Sequence, residues 1–288
     1  MKKETLFVSF SGGRTSAYMC WWLIENMSHK YNFIFVFANT GIEHEETLRF
    51  VDRCDKWMNL NLVWLESVVH EEFGKASSHK VVNFETACRT GRIFEDMIKV
   101  YGIPNKSYPH CNRELKLHPI YTYKESLGFL RYHKTAVGIR VDEIDRMSEV
   151  AMGRGVIYPL ISMNATTKEE VRHWWKEQPL DLGIPEHYGN CVTCWKKSDR
   201  KLMTIAKHEP QRFEFFRNME ELYPNAGSGD GDRVFFRGPK STNDIFAKAK
   251  MGFVEFKDYM PSLQFKMNFD IDELDIEDSC GASTCEVA

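Results

Sequence analysis

Residues 6–16, Leu6-Phe7-Val8-Ser9-Phe10-Ser11-Gly12-Gly13-Arg14-Thr15-Ser16, constrain the fold more than any other stretch of the chain. The first half is a short apolar run, the pattern of a buried strand. Two glycines then permit a tight turn and close approach of a ligand to the backbone. Thr15 and Ser16 can cap a following helix whose apolar positions are Tyr18, Met19, Trp22, Leu23 and Met27. A strand that turns through glycine into a helix N-terminus makes an anion site, because free N–H groups and the helix dipole point at one spot. An ordinary strand–helix turn is the plain alternative. The surrounding Ser-Gly-Gly-x-x-Ser favours a phosphate loop, although it is neither the dinucleotide fingerprint nor the Walker A pattern.

The 288 residues, 43% hydrophobic and 27% charged, suffice for one large α/β domain with an appendage. A formal net charge of −3 gives no global nucleic-acid footprint and leaves a local basic face open. No run of 18 apolar residues occurs, so no membrane span is expected. Met1-Lys2-Lys3 leads straight into the strand without a small-residue cleavage site, which argues against a signal peptide and for a cytoplasmic protein. The eight cysteines then read as thiols, metal ligands or redox groups rather than a disulfide frame.

Residues 33–38 read as a second buried strand ending at Asn39-Thr40-Gly41, residues 45–58 as a helix and residues 62–65 as a third strand. Short connections between alternating strands and helices imply parallel pairing. Ligands in such a sheet gather beyond the carboxyl ends of the strands, where Ser11, Ser16, Asn39 and Thr40 would share an edge. Residues 68–83 show no period and read as a loop, and residues 92–101 as a helix. Arg113 and Lys116, three apart, fall on one helical face. Residues 133–138 read as a fourth strand running into Gly138-Ile139-Arg140-Val141-Asp142-Glu143. Arg140 offers a rigid fork for phosphate or sulfate, or a salt bridge to Asp142 or Glu143.

Thr166 or Thr167, with Glu169 or Glu170, forms a capping box. Trp174 and Trp175 are core or interface residues, or platforms for a base. Cys191-Val192-Thr193-Cys194 has chelating spacing and fits a redox pair, a zinc half-site or a cluster half-site. Helices are expected over 201–206, 211–222 and 242–249, with a Gly- and Asp-rich loop over 226–232. The tail is acidic over 270–278 and then reaches Cys280-Gly281-Ala282-Ser283-Thr284-Cys285. Cys20 and Cys54 read as core.

Four of these segments, in order, resemble the PP-loop ATP pyrophosphatases and the phosphoadenosine phosphosulfate (PAPS) reductases. The Ser-Gly-Gly loop resembles the pyrophosphatase pattern, with Thr15 where that pattern has Asp. Residues 37–43 resemble the turn after the second strand of PAPS reductases, with Asn39 in place of Asp. Cys111-Asn112-Arg113-Glu114-Leu115-Lys116-Leu117-His118-Pro119 resembles the Cys-x-x-x-x-Lys-x-x-Pro segment. Gly138-Ile139-Arg140-Val141-Asp142-Glu143 resembles the Gly-x-Arg-x-Asp-Glu turn.

The resemblance implies an adenine nucleotide alpha-hydrolase-like (HUP-type) α/β fold. Its five-stranded parallel sheet would be flanked by helices, with residues 1–200 as the nucleotide-binding domain and 201–288 as a helical extension with a Cys-containing acidic tail. It implies that Ser11, Gly12, Gly13, Arg14, Thr15, Ser16, Asn39, Thr40, Gly138 and Arg140 bind ATP or a PAPS-like nucleotide, with Mg²⁺ allowed for. Lys116 and Arg140 would stabilise charge on the phosphates. Cys111, Cys191 and Cys194 would hold a [4Fe–4S] cluster, or zinc, with Cys285 as one fourth ligand and Cys88, His110 or substrate as others.

The implied activity is sulfur transfer, in which an acceptor (tRNA, DNA or a small molecule) is adenylated before a sulfur donor thiolates it. One alternative is thioredoxin- or glutathione-dependent reduction of PAPS to sulfite by Cys280 on the tail. Another is a non-catalytic nucleotide sensor, motivated by Thr15 and Asn39. A homodimer is allowed for, and no membrane partner is expected.

Overall fold

A computed structural model describes residues 2–72, 74–227, 233–237 and 240–257. Its centre is a six-stranded sheet in the order β4-β3-β2-β1-β5-β6. The strands are β1 (Glu4–Ser9), β2 (Tyr31–Asn39), β3 (Val63–Val68), β4 (Ser78–Val82), β5 (Thr135–Val137) and β6 (Val156–Ile157). All neighbours are parallel except β3 and β4.

The period-two alternation of the strands feeds two cores. Leu6, Val8, Phe35, Phe37 and Trp64 belong to the larger hydrophobic cluster, whereas Phe7, Val36 and Leu65 pack with Ile120. Both faces are therefore covered, which is why the central strands read as continuous apolar runs. Helices α1 (Arg14–Met27), α2 (Glu45–Met58) and α3 (Arg92–Tyr101) follow the strands and turns that precede them. Beyond residue 200, Leu202, Ile205, Phe213, Phe216, Phe235 and Phe236 join the same large cluster, so the C-terminal helices extend the core of the sheet domain. Among the described residues, no helix is long and apolar enough to cross a membrane.

The sheet has six strands where five were expected, and one of them is antiparallel. The added strand β4 lies inside 68–83, the segment read as a loop. It is an edge strand whose order comes from pairing with buried β3, Trp64 opposite Val82 and Val68 opposite Ser78, rather than from its own composition.

The helix over residues 110–126 departs from ideal geometry. It runs as His110–Asn112, a π turn over Arg113–Leu117, and His118–Ser126. The wider turn breaks the i,i+3 relation expected of Arg113 and Lys116. The Lys116 residue is only 7% exposed, while the Arg113 side chain is 47% exposed and pairs with Glu114.

Glu114 ties this turn to the sheet. Its carboxylate accepts from Ser77 Oγ (2.7 Å) and Arg113 Nε (2.6 Å) and meets His118 Nδ1 (3.1 Å). Its backbone carbonyl accepts from Ser67 Oγ of β3 (2.8 Å). Burial pushes the carboxyl up, but the bonds from His118, Arg113 and Ser77 outweigh it and hold the group at about 2, against an ordinary 4.5. A depressed folded value contributes stability that is complete above the ordinary value and lost as pH falls towards about 2. Glu114→Gln is therefore expected to cost about 1–3 kcal/mol at pH 7. Denaturant unfolding of both proteins checks this: the gap should narrow between pH 4.5 and 3, and a gap independent of pH refutes the charged role.

Candidate nucleotide site

The β1–α1 turn leaves the first backbone donors of α1 without intrahelical acceptors. Gly13 is the N-cap of α1, with ordinary extended dihedrals and no side-chain cap, and the first helical turn carries no acidic residue. The first backbone bond of the helix is Ala17 N–H to Gly13 O (3.1 Å). The N–H groups of Arg14, Thr15 and Ser16 precede it and have no intrahelical acceptor. Thr15 and Ser16, expected as caps, serve other purposes. Ser16 Oγ donates to Gly13 O (3.0 Å), accepts from Ser11 N–H (3.1 Å) and lies 2.9 Å from Ser11 Oγ, fastening the loop to itself.

The two glycines differ. Gly12 has φ +84°, and a Cβ there would stand 2.8 Å from Thr47 Cγ2, so it is glycine for packing and conformation. At Gly13 a Cβ would meet only Ser11 Oγ, at 3.8 Å. It faces open space at the helix mouth.

Arg140 closes the opposite side. At the end of β5, Gly138 passes α1 so closely that a Cβ would lie 3.0 Å from Ser16 Cα. This contact delivers Arg140 to Thr15, where Nη1 donates to Thr15 Oγ1 (2.6 Å). Its other atoms grip Asp142 Oδ1 and Oδ2 (3.0 Å each), and Glu143 Oε2 lies 3.1 Å from Nη1. Arg146 pairs with the same Glu143. Asp142 feels burial, which raises its pKa, and the Arg140 bond, which prevails and lowers it. The salt-bridge reading of Arg140 is the one seen, and these bridges hold its guanidinium at the loop.

Gly13, Arg14, Thr15 and Arg140 open onto a cleft of about 1100 Å³. Its walls are the turn after β5, the helix Lys168–Lys176, the segment 181–190 and residues 196–201. Ten lysines and arginines line it against six carboxylates, an excess of four in a chain whose net charge is −3. Arg14 forks onto Asp181 (2.6 and 2.7 Å), and Trp175 Nε1 donates to Arg14 O (2.9 Å), so the helix 168–176 and its sequel form a wall against the loop. Thr167 and Glu170 make the expected capping box at the start of that helix. No motif marked Asp181, Glu186, Lys196 or Lys201, because they reach the cleft only through tertiary folding.

Asn39 and Thr40 fall beside this cleft rather than in its lining. Asn39 is fully buried, donating to Glu66 Oε1 (2.8 Å) and Cys88 O (2.9 Å). The Glu43 carboxylate accepts from the N–H groups of Thr40 (3.1 Å), Gly41 (3.0 Å) and Ile42 (3.2 Å) and from Thr40 Oγ1 (2.6 Å). This turn touches the Cys-x-x-Cys loop through a Glu43–Cys191 bridge and a 3.4 Å contact of Thr40 Oγ1 with Cys191 Sγ. Lys116, buried in the π turn, also lies outside the cleft lining.

Residues 5–154, more than half of the chain, match the model of the phosphoadenosine phosphosulfate reductase domain. The chain belongs to the PAPS reductase domain family. It is 34% identical over 246 residues to the uncharacterized nin region protein ORF290 of Escherichia phage lambda, a match covering 83% of this chain and 82% of that protein. It is 24% identical over 123 residues to the uncharacterized protein MJ0066 of Methanocaldococcus jannaschii, covering 43% of this chain and 20% of that one. Membership of this family makes the protein an enzyme-type, nucleotide-binding member of a sulfur-metabolism family.

As a PAPS reductase-family member it was expected to gather Cys111, Cys191 and Cys194 around iron–sulfur or zinc. The structure does not support that set. Among the described residues, no group of three or more His, Cys, Asp or Glu side chains could hold a metal ion. The Cys191–Cys194 loop is closed on itself by Cys194 N–H to Cys191 O (3.2 Å), and Lys197 Nζ donates to Cys191 O (3.1 Å). His110 is engaged by Arg113 and stacked on Tyr108, and burial, with the nearby arginines, lowers its pKa to about 4. Cys280 and Cys285 lie outside the described residues.

Proposed function

We propose that this protein binds ATP, or an adenylyl-sulfate nucleotide, at the β1–α1 loop and adenylates an acceptor that is then thiolated. The observation that carries the reading is the uncapped N-terminus of α1, with Gly13 at its mouth and the anchored Arg140 beside it, opening onto a basic cleft. Phosphate oxygens accept from the N–H groups of Arg14, Thr15 and Ser16, and the Arg140 guanidinium adds positive charge where the phosphates carry most negative charge.

In the adenylation step a carbonyl-type oxygen of the acceptor attacks the α-phosphorus. Its bond to pyrophosphate breaks and the acceptor–AMP ester forms. Sulfide then adds through sulfur to the activated carbon, and AMP leaves with the former carbonyl oxygen. A persulfide donor adds through its terminal sulfur with the same loss of AMP, and a second thiol then cleaves the S–S bond, leaving sulfur on the acceptor and forming a disulfide with the donor's thiol.

Pyrophosphate release from ATP, assayed with candidate acceptors and a persulfide donor, tests the reading. Release that depends on the acceptor supports it. ATP binding with no release under any acceptor favours a sensor, and sulfite formation from PAPS with a thiol reductant favours the reductase reaction.

A further inference from the structure

The basic charge of the cleft is not spread evenly. Its lining residues up to Glu186 carry six basic side chains and all six carboxylates, largely paired with one another, as Arg14 is with Asp181, Arg140 with Asp142 and Lys168 with Glu186. The rest of the lining carries Lys196, Lys197, Lys201 and Arg237 and no carboxylate. The excess of four therefore belongs to one wall. Asp199, in the same stretch of chain, is taken by Lys240 (2.5 Å) and Lys248 (3.2 Å). The last described residues run against this wall. Phe256 lines the cleft, with its ring 5.5 Å from that of His187 and 4.7 Å from Lys201 Nζ, and its N–H donates to Thr204 Oγ1 (2.9 Å).

We infer that residues 270–278 of this chain dock against that wall and guard the cleft against anionic ligands; that ATP is the ligand held off rests on the reading proposed above. The segment has six carboxylates in nine residues and no basic side chain, so its charge is opposite to that of the wall. Residues 258–269 join it to Lys257, and a chain of that length spans up to about 40 Å. A segment tethered beside its site meets it at an effective concentration of roughly mM. Exposed ion pairs, too weak to hold two separate molecules, then suffice to keep it in place. Phosphates entering the same cleft must displace it, and their apparent affinity falls with the fraction of molecules whose cleft is open. Carboxylates make this contact, so it does not call on the thiol of Cys280.

The test uses the full chain. A carbodiimide joins carboxylates to lysine amines that touch them, and mass spectrometry of the monomer-sized product identifies the partners. Cross-links from residues 270–278 to Lys196, Lys197 or Lys201 are expected. They should fade as salt rises from about 50 to about 500 mM and be suppressed by saturating ATP. A variant combining Asp270→Asn, Asp272→Asn, Glu273→Gln, Asp275→Asn, Glu277→Gln and Asp278→Asn removes the charge and leaves the described residues untouched. Calorimetry should show it binding ATP about 3- to 30-fold more tightly at low salt, a gap that closes at high salt.

Absence of cross-links to the wall overturns the inference. So do links confined to Lys207 or Lys250, which line a groove among the last helices, and links found only in a dimer-sized product, which give the segment to a second copy. Equal ATP affinity with and without the six carboxylates overturns it as well. Cys280→Ser should change neither readout; if it abolishes the links, a thiol holds the segment and the inference fails. ATP binding without cross-links sinks this inference alone. Cross-links in a protein that binds no ATP leave the docking standing and sink the nucleotide site alone.

Discussion

Gly13→Val is expected to give a folded protein that no longer holds ATP. Two facts separate binding from stability at this position. Gly13 sits in an extended conformation open to any L-residue, and a Cβ there approaches nothing nearer than Ser11 Oγ at 3.8 Å. Valine is a poorer N-cap than glycine but fits the extended dihedrals, so the stability cost is about 1 kcal/mol. The added methyls stand where phosphate oxygens must reach the N–H groups of Arg14 to Ser16. Charge-assisted bonds to such donors contribute about 1.5–3 kcal/mol each, so losing even two weakens ATP by at least ~100-fold. Calorimetric titration with ATP, beside a thermal melt, checks both halves. Unchanged affinity in a folded variant rejects the loop as the phosphate site. Gly12 would not serve as the probe: its φ of +84° and the 2.8 Å approach to Thr47 mix folding damage into any loss of binding.

The fold was legible where burial and period coincide. β1, β2 and β3 are covered on both faces, so their apolar runs stood out; α2 occupies the stretch 45–58 that its helical spacing marked, and α3 the stretch 92–101 read as a helix. The misreadings share one cause, which is order imposed from outside the segment. β4 is Ser-His-Lys-Val-Val and exists because β3 offers it an edge. The π turn over Arg113–Leu117 carries Glu114, whose carboxylate is held from outside by Ser77, 37 residues earlier in the chain.

The loop of the candidate site could be read in part because glycine has few other reasons to stand between a strand and a helix. The cleft could not. Its charge comes from residues spread between 14 and 237, and the sum over the whole chain has the opposite sign. Asn39 is the last residue of β2, at the carboxyl edge of the sheet, and its amide donates inside the fold to Glu66 and Cys88, partners that no motif indicates.

Arg140→Ala should lose both affinity and stability, in proportions that tell its two roles apart. Removing the guanidinium leaves Thr15 Oγ1 without its 2.6 Å donor and takes two bonds from Asp142. Breaking a buried ion pair costs about 3–5 kcal/mol when the orphaned carboxylate is sealed in. Here Asp142 is 38% exposed at its side chain and Glu143 keeps Arg146, so the cost should be nearer 1–3 kcal/mol. The pairing lowers the Asp142 carboxyl below its ordinary 3.8, so its contribution is present above that value and fades as pH falls beneath it. The stability gap between the two proteins should therefore shrink below about pH 4. Arg140→Lys supplies the charge without the fork: it should recover part of the ATP affinity while leaving the bidentate grip on Asp142 unmade. Unfolding curves at pH 7 and pH 3, with ATP titrations of all three proteins, decide the matter. If Arg140→Ala loses stability and keeps its ATP affinity, Arg140 is a strut of the β5 turn and the phosphates are held by the α1 backbone alone.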